Sequence, residues 1–461
     1  MNPSTTAENQ KFGHGASVVS MIVGNKTGNF AGGVAPESHV FYVNHIFNNV
    51  NKKNSINFEE LLLNNNIKII NHSYRVNMSE YGKRIHIVKP GFFEKLKKSV
   101  NSGQILHIWA AGNNDSPSRH PYTGGLPSSY PELERGWITV VGVDPFGNID
   151  DGSVKCNEAK NYCIGAPMKF WMRGEMYPGT SYSAPIVSGI DALVSGKYPW
   201  MTVNNLRQVI FTSGSNADGK LSDNTGWGVV NAEKAINGPS RFDKRLTDLP
   251  GVSEDEKNAF VANVNEKPNG WNDSSVYKQH DLHSSYTFSN SIKGDAGLIK
   301  TGSGPLFLTG SNTYTGNTDV KEGALFFYNS SNLNSKVIIR PNAFLINQSI
   351  QIKGDIDNEG GTLVVLANEM NRHPKTKLVY GNVTFNQSST LVSEIGNTLH
   401  VIGKVSLDNT KLKVLVNDDE KKTTFDKKYD ALYAGHGIDG AFSSSVDGID
   451  EKGQELKLYE F

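Results

Sequence analysis

Hydrophobic and polar positions divide the chain into two parts with different patterns. Up to about residue 237, short apolar runs alternate with stretches whose apolar residues recur at helical spacing. The runs are IKIINHS (67–73), ILHIWAAG (105–112) and WITVVGV (137–143), and the helical stretches are PGFFEKLKKSV (90–100) and SAPIVSGIDALVSG (183–196). Buried strands that alternate with helices predict an α/β domain over residues 1–237, with a parallel sheet and helices on its faces.

The second pattern is all-β. Residues 238–290 are polar and irregular, which predicts a linker that contains one short helix. From 291 to 461, turns rich in glycine, asparagine and threonine separate short β-rich runs, and no helical spacing occurs. Many short strands at near-regular spacing favour an elongated β-solenoid, with a compact sandwich as the alternative.

Composition excludes several classes of function. The chain has 461 residues, enough for two or three domains, and its 46 basic and 46 acidic residues give a formal charge of zero. This balance argues against nucleic acid or an anionic membrane as the main partner. No run approaches the 18 or so apolar residues of a membrane span, and the first residues, MNPSTTAENQKFG, lack the pattern of a signal peptide.

The two cysteines, Cys156 and Cys163, lie in one short polar stretch. They could close a small disulfide loop worth about 2.5 kcal/mol, or remain as two reduced thiols. Two cysteines are too few for a zinc site on their own.

The stretch GTSYSAP (179–185) places Ser181 where a helix begins, with a proline expected in its first turn. Serine is a favoured N-cap, so a purely structural role is the simplest interpretation. The same position suits a nucleophile, because unpaired N–H groups and the helix dipole stabilise an oxyanion there. A nucleophile needs partners elsewhere in the chain.

Two other segments supply candidate partners. In HGASVVSMIVG (14–24), His14 precedes an apolar helical pattern, and in AAGNN (110–114), Asn113 follows a predicted strand. A lone histidine at a helix end is usually structural. An amide side chain such as that of Asn113 can donate a hydrogen bond to a developing oxyanion.

These motifs, in this order, resemble the subtilisin-type (subtilase) serine proteases over residues 14 to about 236. Further landmarks of that family are GGVAPESHVFYV (32–43), IINHS (69–73), LPSSYPELERGWITVVGVD (126–144), GAP (165–167) and GWGVVNAEKAI (226–236). The order of His before Ser excludes the α/β-hydrolase arrangement.

The resemblance implies specific roles. Ser181 would attack the scissile carbonyl, His14 would transfer the proton, and Asn113 with the Ser181 N–H would hold the oxyanion. Ala111 and Gly112 would form one wall of the substrate pocket. Ser73 and Tyr74 would belong to an edge strand that pairs with an extended peptide. Tyr74 and Arg75 replace the leucine and glycine usual in the family, and Arg75 could attract acidic substrates or be a solvated surface residue.

The triad aspartate of the family has no counterpart. Only 13 residues precede His14, and Glu8 is the sole acid among them. The first strand of the family's sheet, which carries the aspartate, is therefore expected to be missing. Either the aspartate strand and a signal peptide lie upstream of the given text, or the domain is a degenerate pseudoprotease.

The C-terminal part resembles the passenger-associated repeat of bacterial autotransporters over GLIKTGSGPLFLTGSNTYTGNTDVKEGAL (297–325). This implies a right-handed β-helix stalk, and an outer-membrane translocator barrel is expected in the full-length protein. The sequence therefore predicts a secreted or surface-displayed serine endopeptidase that acts on polypeptides, needs no cofactor or metal, and carries Cys156 and Cys163 as a disulfide. The alternative is an inert domain whose solenoid serves as an adhesion scaffold.

Overall fold

A computed structural model describes residues 13–42, 65–74, 90–114, 121, 123–172, 174–268, 271–277, 286–328, 333–348, 351–366, 377–416, 429–450, 452 and 454–456. The chain forms two compact units, one of residues 1–196 with 202–236 and one of residues 197–201 with 237–461. Each unit is described by itself. In the described part, no helix is both long and apolar enough to cross a membrane.

The first unit is built on a parallel four-stranded sheet. Its strands are β1 (Ile69–His72), β2 (Leu106–Ala110), β3 (Trp137–Val143) and β4 (Cys163–Pro167), and they lie in the order β1-β2-β3-β4. All three pairings are parallel. Every residue of β3 is buried, as expected for the apolar run WITVVGV covered on both faces. The predicted α/β parallel sheet is confirmed.

In the described residues, five helices and a hairpin accompany this sheet. The helices are α1 (His14–Val23), α2 (Pro90–Asn101), α3 (Thr180–Lys197), α4 (Val203–Thr212) and α5 (Ala232–Ile236). Shorter 3-10 segments lie at Thr123–Ser128, Pro131–Gly136 and Asn157–Tyr162. The hairpin joins β5 (Lys169–Met172) to antiparallel β6 (Glu175–Pro178), which leads directly into α3.

Two hydrophobic side chains of α1 fix that helix against the start of α3. Val18 and Met21 pack in one buried cluster with Met172 of the hairpin and Tyr182 of α3. Further along α3, Gly189 lies so close to Val34 that an added Cβ would come within 2.7 Å of the valine Cβ. These contacts place the first residue of α1, His14, at the N-terminal end of α3.

A buried ion pair and a disulfide tie together other parts of the first unit. Arg207 of α4 is fully buried, and its guanidinium donates to Glu134 Oε1 at 2.9 Å and to the carbonyl of Trp137 at 3.2 Å. Cys156 and Cys163 form a disulfide that closes the short loop before β4. The structure therefore contains the predicted disulfide between the two cysteines.

The described residues of the second unit form mostly parallel β-strands, the short helix α6 (Lys244–Thr247), and 3-10 segments at Glu254–Glu256 and Asp273–Tyr277. Its strands are β7 (Arg241–Phe242), β8 (Ala259–Asn263), β9 (Thr287–Phe288), β10 (Lys293–Gly294), β11 (Gly297–Thr301), β12 (Pro305–Leu308), β13 (Thr318–Val320), β14 (Ala324–Phe327), β15 (Val337–Ile339), β16 (Phe344–Asn347), β17 (Gln351–Ile352), β18 (Ile356–Asn358), β19 (Thr362–Val365), β20 (Lys377–Val379), β21 (Val383–Phe385), β22 (Thr390–Glu394), β23 (Leu399–Val401), β24 (Val405–Val416), β25 (Leu432–Ala434), β26 (Ile438–Asp450) and β27 (Glu455–Leu456).

Strands from successive rungs stack in parallel rows, which is the geometry of a β-solenoid. One row runs β8-β11-β13-β15-β18-β21, a second runs β9-β12-β14-β16-β19-β22, and β24 pairs with the last strand of both. A third row runs β17-β20-β23-β25. Between β26 and β27 the pairing is antiparallel. The predicted solenoid is confirmed over the compact sandwich.

The segment 238–290 differs from the predicted linker. It contains β7, β8, α6 and β9, and β8 pairs with β11 over five residues in parallel register. β9 likewise pairs with β12. These strands are short and interrupted by polar residues, so their sequence pattern does not distinguish them from a loop. They are stabilised as strands by the partner strands that bury them.

Repeated apolar positions and glycine corners explain why this sequence forms rungs. Phe307 of β12 and Phe326 of β14 stack with ring centroids 4.3 Å apart inside the solenoid. At a corner, Gly323 has a φ of 67°, and an added Cβ would lie 2.4 Å from the carbonyl oxygen of Gly302 in the rung before it. Only glycine fits where one corner stacks this closely on the next.

Candidate active site

The predicted site residues follow β1 and β2. Ser73 and Tyr74 come directly after β1, and Ala111, Gly112 and Asn113 come directly after β2. Because the two strands are adjacent and parallel, their carboxyl ends lie at the same edge of the sheet. The structure therefore brings these two segments together, as the sequence predicts.

Ser181 is the second residue of α3, and its side chain is partly exposed. The helix begins at Thr180, directly after Gly179, whose φ of 134° lets the chain turn sharply from β6 into the helix. The expectation that Pro185 lies in the first turn is wrong, since it lies in the second turn. A proline there leaves the carbonyl four residues earlier, that of Ser181, without its helical donor.

Ser73 supplies the missing donor. Its hydroxyl donates to the carbonyl oxygen of Ser181 at 2.8 Å, and its own Oγ accepts from Asn71 Nδ2 at 2.8 Å. In return, the Ser181 hydroxyl donates to the Ser73 carbonyl at 3.4 Å. Two hydrogen bonds thus hold the end of β1 against the first turn of α3, and Ser73 is nearly fully buried between them.

Asn113 is fixed by the residue before Ser181. Its Oδ1 accepts from the backbone N–H of Thr180 at 3.0 Å and from the Thr180 hydroxyl at 3.1 Å. Because a backbone N–H can only donate, the atom facing it is the amide oxygen, and the amide nitrogen points the other way. Thr180 Oγ1 in turn accepts from the N–H of Gly112 at 3.1 Å. Within the described residues, Asn113 Nδ2 has no acceptor and is free to donate.

His14 lies beside the same helix turn. Its ring centroid is 5.7 Å from that of Tyr182, the residue after Ser181. The ring is exposed, and its partial loss of water contact lowers the pKa of His14 from the ordinary value. In the described part of the chain, no hydrogen bond joins His14 to Ser181 and no carboxylate contacts the imidazole. Glu8 and Arg75 lie outside the described residues.

Among the residues that the structure describes, no three His, Cys, Asp or Glu side chains converge as a metal ion requires. The groups at the site are a hydroxyl, an imidazole, an amide donor and backbone N–H groups at a helix N-terminus. This set can carry out nucleophilic attack on a carbonyl and stabilise the resulting oxyanion.

Two roles at the site were not predicted from the sequence. Thr180 orients Asn113 through both its N–H and its hydroxyl, and Pro185 creates the acceptor that Ser73 occupies. The signal for Pro185 is its place five residues into the helix, where a missing N–H leaves a carbonyl for another donor. Thr180 has no comparable signal in a single sequence.

A parallel sheet whose strand ends meet a serine at a helix N-terminus defines a serine-hydrolase type of site. Comparison with protein families identifies the type. Residues 2–228 match the model described as Subtilase family, and residues 298–325 match the Passenger-associated-transport-repeat, which covers strands β11 to β14. The chain is thus a subtilase-like passenger: a domain that resembles the Subtilase family, followed by a region that contains a passenger-type repeat.

Individual relatives agree with both assignments. The chain is 27% identical over 460 residues to the Neisserial autotransporter lipoprotein NalP of Neisseria meningitidis serogroup B, covering 87% of this chain and 39% of that protein. It is 28% identical over 267 residues to an Extracellular serine protease of Serratia marcescens, covering 50% and 25%. To Serotype-specific antigen 1 of Mannheimia haemolytica it is 30% identical over 209 residues, covering 39% and 22%. The chain therefore spans less than half the length of each of these relatives.

Proposed function

We propose that this chain is the peptidase part of an exported serine endopeptidase that hydrolyses polypeptides through an acyl-enzyme intermediate. Ser181 is the nucleophile, His14 the general base, and Asn113 Nδ2 together with the Ser181 N–H the oxyanion hole. The subtilase match over residues 2–228 supports the reaction class.

The orientation of Asn113 carries this proposal. Thr180 binds the amide oxygen of Asn113 twice, so the Nδ2 donor is left for another acceptor next to the nucleophile. Asn113 is partly buried, and within the described residues no protein acceptor holds Nδ2, so a substrate oxygen can bind it without breaking a bond to the protein. Because Asn113 Nδ2 is already held in position, it can donate to the substrate oxygen without rearrangement as negative charge develops there.

The lowered pKa of His14 fits the role of a base. An imidazole that ordinarily titrates near 6.5 and is shifted downward stays neutral at physiological pH, so it can accept the Ser181 proton. The hydrogen bond from Ser181 to Ser73 must be exchanged for one to His14, and such contacts often form only in the substrate complex.

Extended polypeptides are the proposed substrates. The backbone at Ser73 and Tyr74 follows a strand whose other edge is open in the described part, which suits pairing with an extended peptide. Ala111 and Gly112 add little side-chain volume opposite it. Export to the cell surface or the medium, through an outer-membrane translocator, is part of the same proposal, supported by the passenger repeat and the names of the relatives.

Replacement of the proposed oxyanion donor tests the mechanism. Asn113→Ala should lower kcat for a peptide substrate by about 100- to 1000-fold with little change in KM, the loss measured when this kind of donor is removed from a subtilisin. The measurement uses this chain and, where its gene encodes residues upstream of Met1, the extended chain. Asn114→Ala is the matched control, because Asn114 is exposed and its side chain donates, within the described residues, to the carbonyl of Asp151.

An equal loss in both variants, or no loss in either, would contradict the assigned role of Asn113. If the folded wild-type protein hydrolyses no peptide in either form, the inert domain with a binding solenoid becomes the better account.

A further inference from the structure

Four polar side chains form a chain of hydrogen bonds that starts at the Ser73–Tyr74 edge, the segment proposed to pair with substrate. The Tyr74 hydroxyl lies 3.0 Å from His72 Nδ1, His72 Nε2 lies 2.9 Å from His107 Nδ1, and His107 Nε2 lies 2.9 Å from Ser99 Oγ of α2. Both histidines are almost fully buried. Each of the four ring nitrogens therefore has a hydrogen-bond partner, and these hydrogen bonds connect Tyr74 at the candidate site to Ser99 of helix α2.

The surroundings of the two imidazoles are aromatic. His72 stacks on Trp109 with ring centroids 3.8 Å apart and planes 6° apart, and the His107 ring centroid is 5.8 Å from that of Trp137. The ring of Tyr74 meets Trp109 edge-on at 5.5 Å. These tryptophans come from β2 and β3, so neither neighbouring strand brings a charge to the pair.

Within the residues that the structure describes, no ionised group contacts this pair to offset a proton. The titratable groups that face it are Tyr74 and the two imidazoles themselves, while α2 contributes the neutral Ser99. The charged residues of α2 are exposed or half-exposed, and they are Glu94, Lys95, Lys97 and Lys98. Burial, followed by the charge of His107, lowers the pKa of His72 well below its ordinary value, and burial lowers the pKa of His107 to about 3.

One proton on each imidazole satisfies every bond in the chain. The donors then run in one direction, from Tyr74 to Ser99 or the reverse. If both rings took a second proton, His72 Nε2 and His107 Nδ1 would each carry a hydrogen across 2.9 Å, and their bond would be lost. A first added proton would place an unpaired positive charge among aromatic rings.

The pair is joined to the nucleophile through a single residue. His72 immediately precedes Ser73, whose hydroxyl donates to the Ser181 carbonyl, and the His72 ring also binds Tyr74. We propose that His72 and His107 are positioning residues: while both are neutral, they hold the Ser73–Tyr74 edge and the first turn of α3 in place, and protonation in acid reversibly releases that edge. The claim that this edge pairs with substrate rests on the proposed function.

The direction of the pH effect follows from linkage. Both folded-state pKa values lie below the ordinary histidine value near 6.5, so the unfolded edge binds more protons than the folded one in the interval below that value. The stabilisation is complete above about pH 6.5 and declines as pH falls towards 3, by at most about tenfold per pH unit for each proton bound.

Hydrogen exchange of backbone amides, measured by mass spectrometry on the whole chain, tests this. After correction for intrinsic exchange, amides of residues 70–74 should lose about tenfold or more of their protection between pH 7.5 and 4.5, and regain it on neutralisation. The amides of β16 (Phe344–Asn347) serve as an internal reference and should not change. The double variant His72→Asn with His107→Gln, which cannot titrate, should respond less than about twofold.

Unchanged protection of residues 70–74 in the wild type, or a full pH response in the double variant, would overturn the proposal. If the double variant does not fold, Tyr74→Phe replaces it, because it keeps both imidazoles and removes only the hydroxyl. That variant should show lower protection at pH 7.5 and a smaller pH response.

Trp109 gives a second readout, since an imidazolium quenches a stacked indole more strongly than an imidazole does. The difference in tryptophan fluorescence between wild type and Trp109→Phe reports on Trp109. As the pH is lowered, this difference should decrease with the same midpoint pH as the amide protection. A difference that does not change between pH 7.5 and 4.5 would refute the titration. Neither readout needs catalysis. A titrating edge without hydrolysis would defeat the proposed function alone, and hydrolysis with a pH-insensitive edge would defeat this inference alone.

Discussion

Lys300 in the solenoid and Asp191 in helix α3 are both fully buried ionisable side chains, and the two units treat them in opposite ways. Lys300 Nζ donates to the carbonyl oxygens of Thr301, Gly302 and Glu322, at 2.9, 2.7 and 3.0 Å. Neither carboxyl oxygen of Asp191 has a hydrogen-bond partner in the described part of the chain. A stacked corner can therefore supply hydrogen-bond partners to a buried ionisable group, whereas the interior of helix α3 supplies none to Asp191.

The backbone explains this difference. At a solenoid corner some carbonyls point away from the strand ladder and are available as acceptors. Inside a helix, the N–H groups already donate to the carbonyls four residues earlier and are not available to a side chain. Burial lowers the pKa of Lys300 to about 7 and raises that of Asp191 to about 8. Only Asp191 lacks any contact that would favour its charged form, so it is held as a neutral acid.

The largest effect is expected from removal of the solenoid lysine. Lys300→Met keeps much of the side-chain volume but leaves three carbonyls without their shared donor, which should lower the free energy of unfolding by about 3 kcal/mol. Urea unfolding, monitored by hydrogen exchange of the amides of β11 to β14, measures this loss of unfolding free energy. Lys321→Met is the matched control on the next rung, because Lys321 is exposed.

Equal stability of Lys300→Met and Lys321→Met would contradict the view that the corner carbonyls depend on this ammonium group. A loss confined to Lys300→Met would sharpen the contrast with α3.

A smaller effect of opposite sign is expected in α3. Because the folded-state pKa of Asp191 is raised to about 8, its contribution to stability is complete below the unfolded value near 3.9 and declines as pH rises towards 8. Asp191→Asn abolishes this ionisation, so it should raise the free energy of unfolding by about 2 kcal/mol at pH 8 and have little effect at pH 4.

Thermal unfolding at the two pH values checks this expectation for Asp191→Asn. Glu233→Gln, which changes an exposed acid of α5, is the control and should shift neither value. A gain of the same size at pH 4 and pH 8 would show that the ionisation of Asp191 is not the cause, and a loss at pH 8 would show that Asp191 is charged and paired in the folded protein.

The two units also differ in how far their sequence predicts their fold. The runs that predict strands at 67–73, 105–112 and 137–143 contain β1, β2 and β3, and the stretch 90–100 lies within α2. The pattern succeeds there because the apolar residues are either consecutive, as in a buried strand, or at helical spacing. It fails at β7, β8 and β9, where strands of two to five residues gain their stability from partners distant in sequence.

For the site, the sequence predicts which residues meet but not how they are held. His14, Asn113 and Ser181 stand in recognisable motifs, and the structure places all three around the start of α3. The bond from Ser73 to the Ser181 carbonyl depends on the proline in the second turn of α3, and the bond between His72 and His107 depends on the register of two adjacent strands. Neither contact is encoded by local spacing.

The most direct test of the account is covalent labelling of Ser181 by a fluorophosphonate, with the modified residue located by mass spectrometry. The account predicts stoichiometric modification of Ser181 in this chain or its upstream-extended form, and no labelling of Ser181→Ala. Ser183→Ala, which removes a buried hydroxyl bonded to the carbonyl of Pro167, should still be labelled. A folded wild-type protein that stays unmodified, or one modified at another residue, would contradict the assignment of Ser181 as the nucleophile.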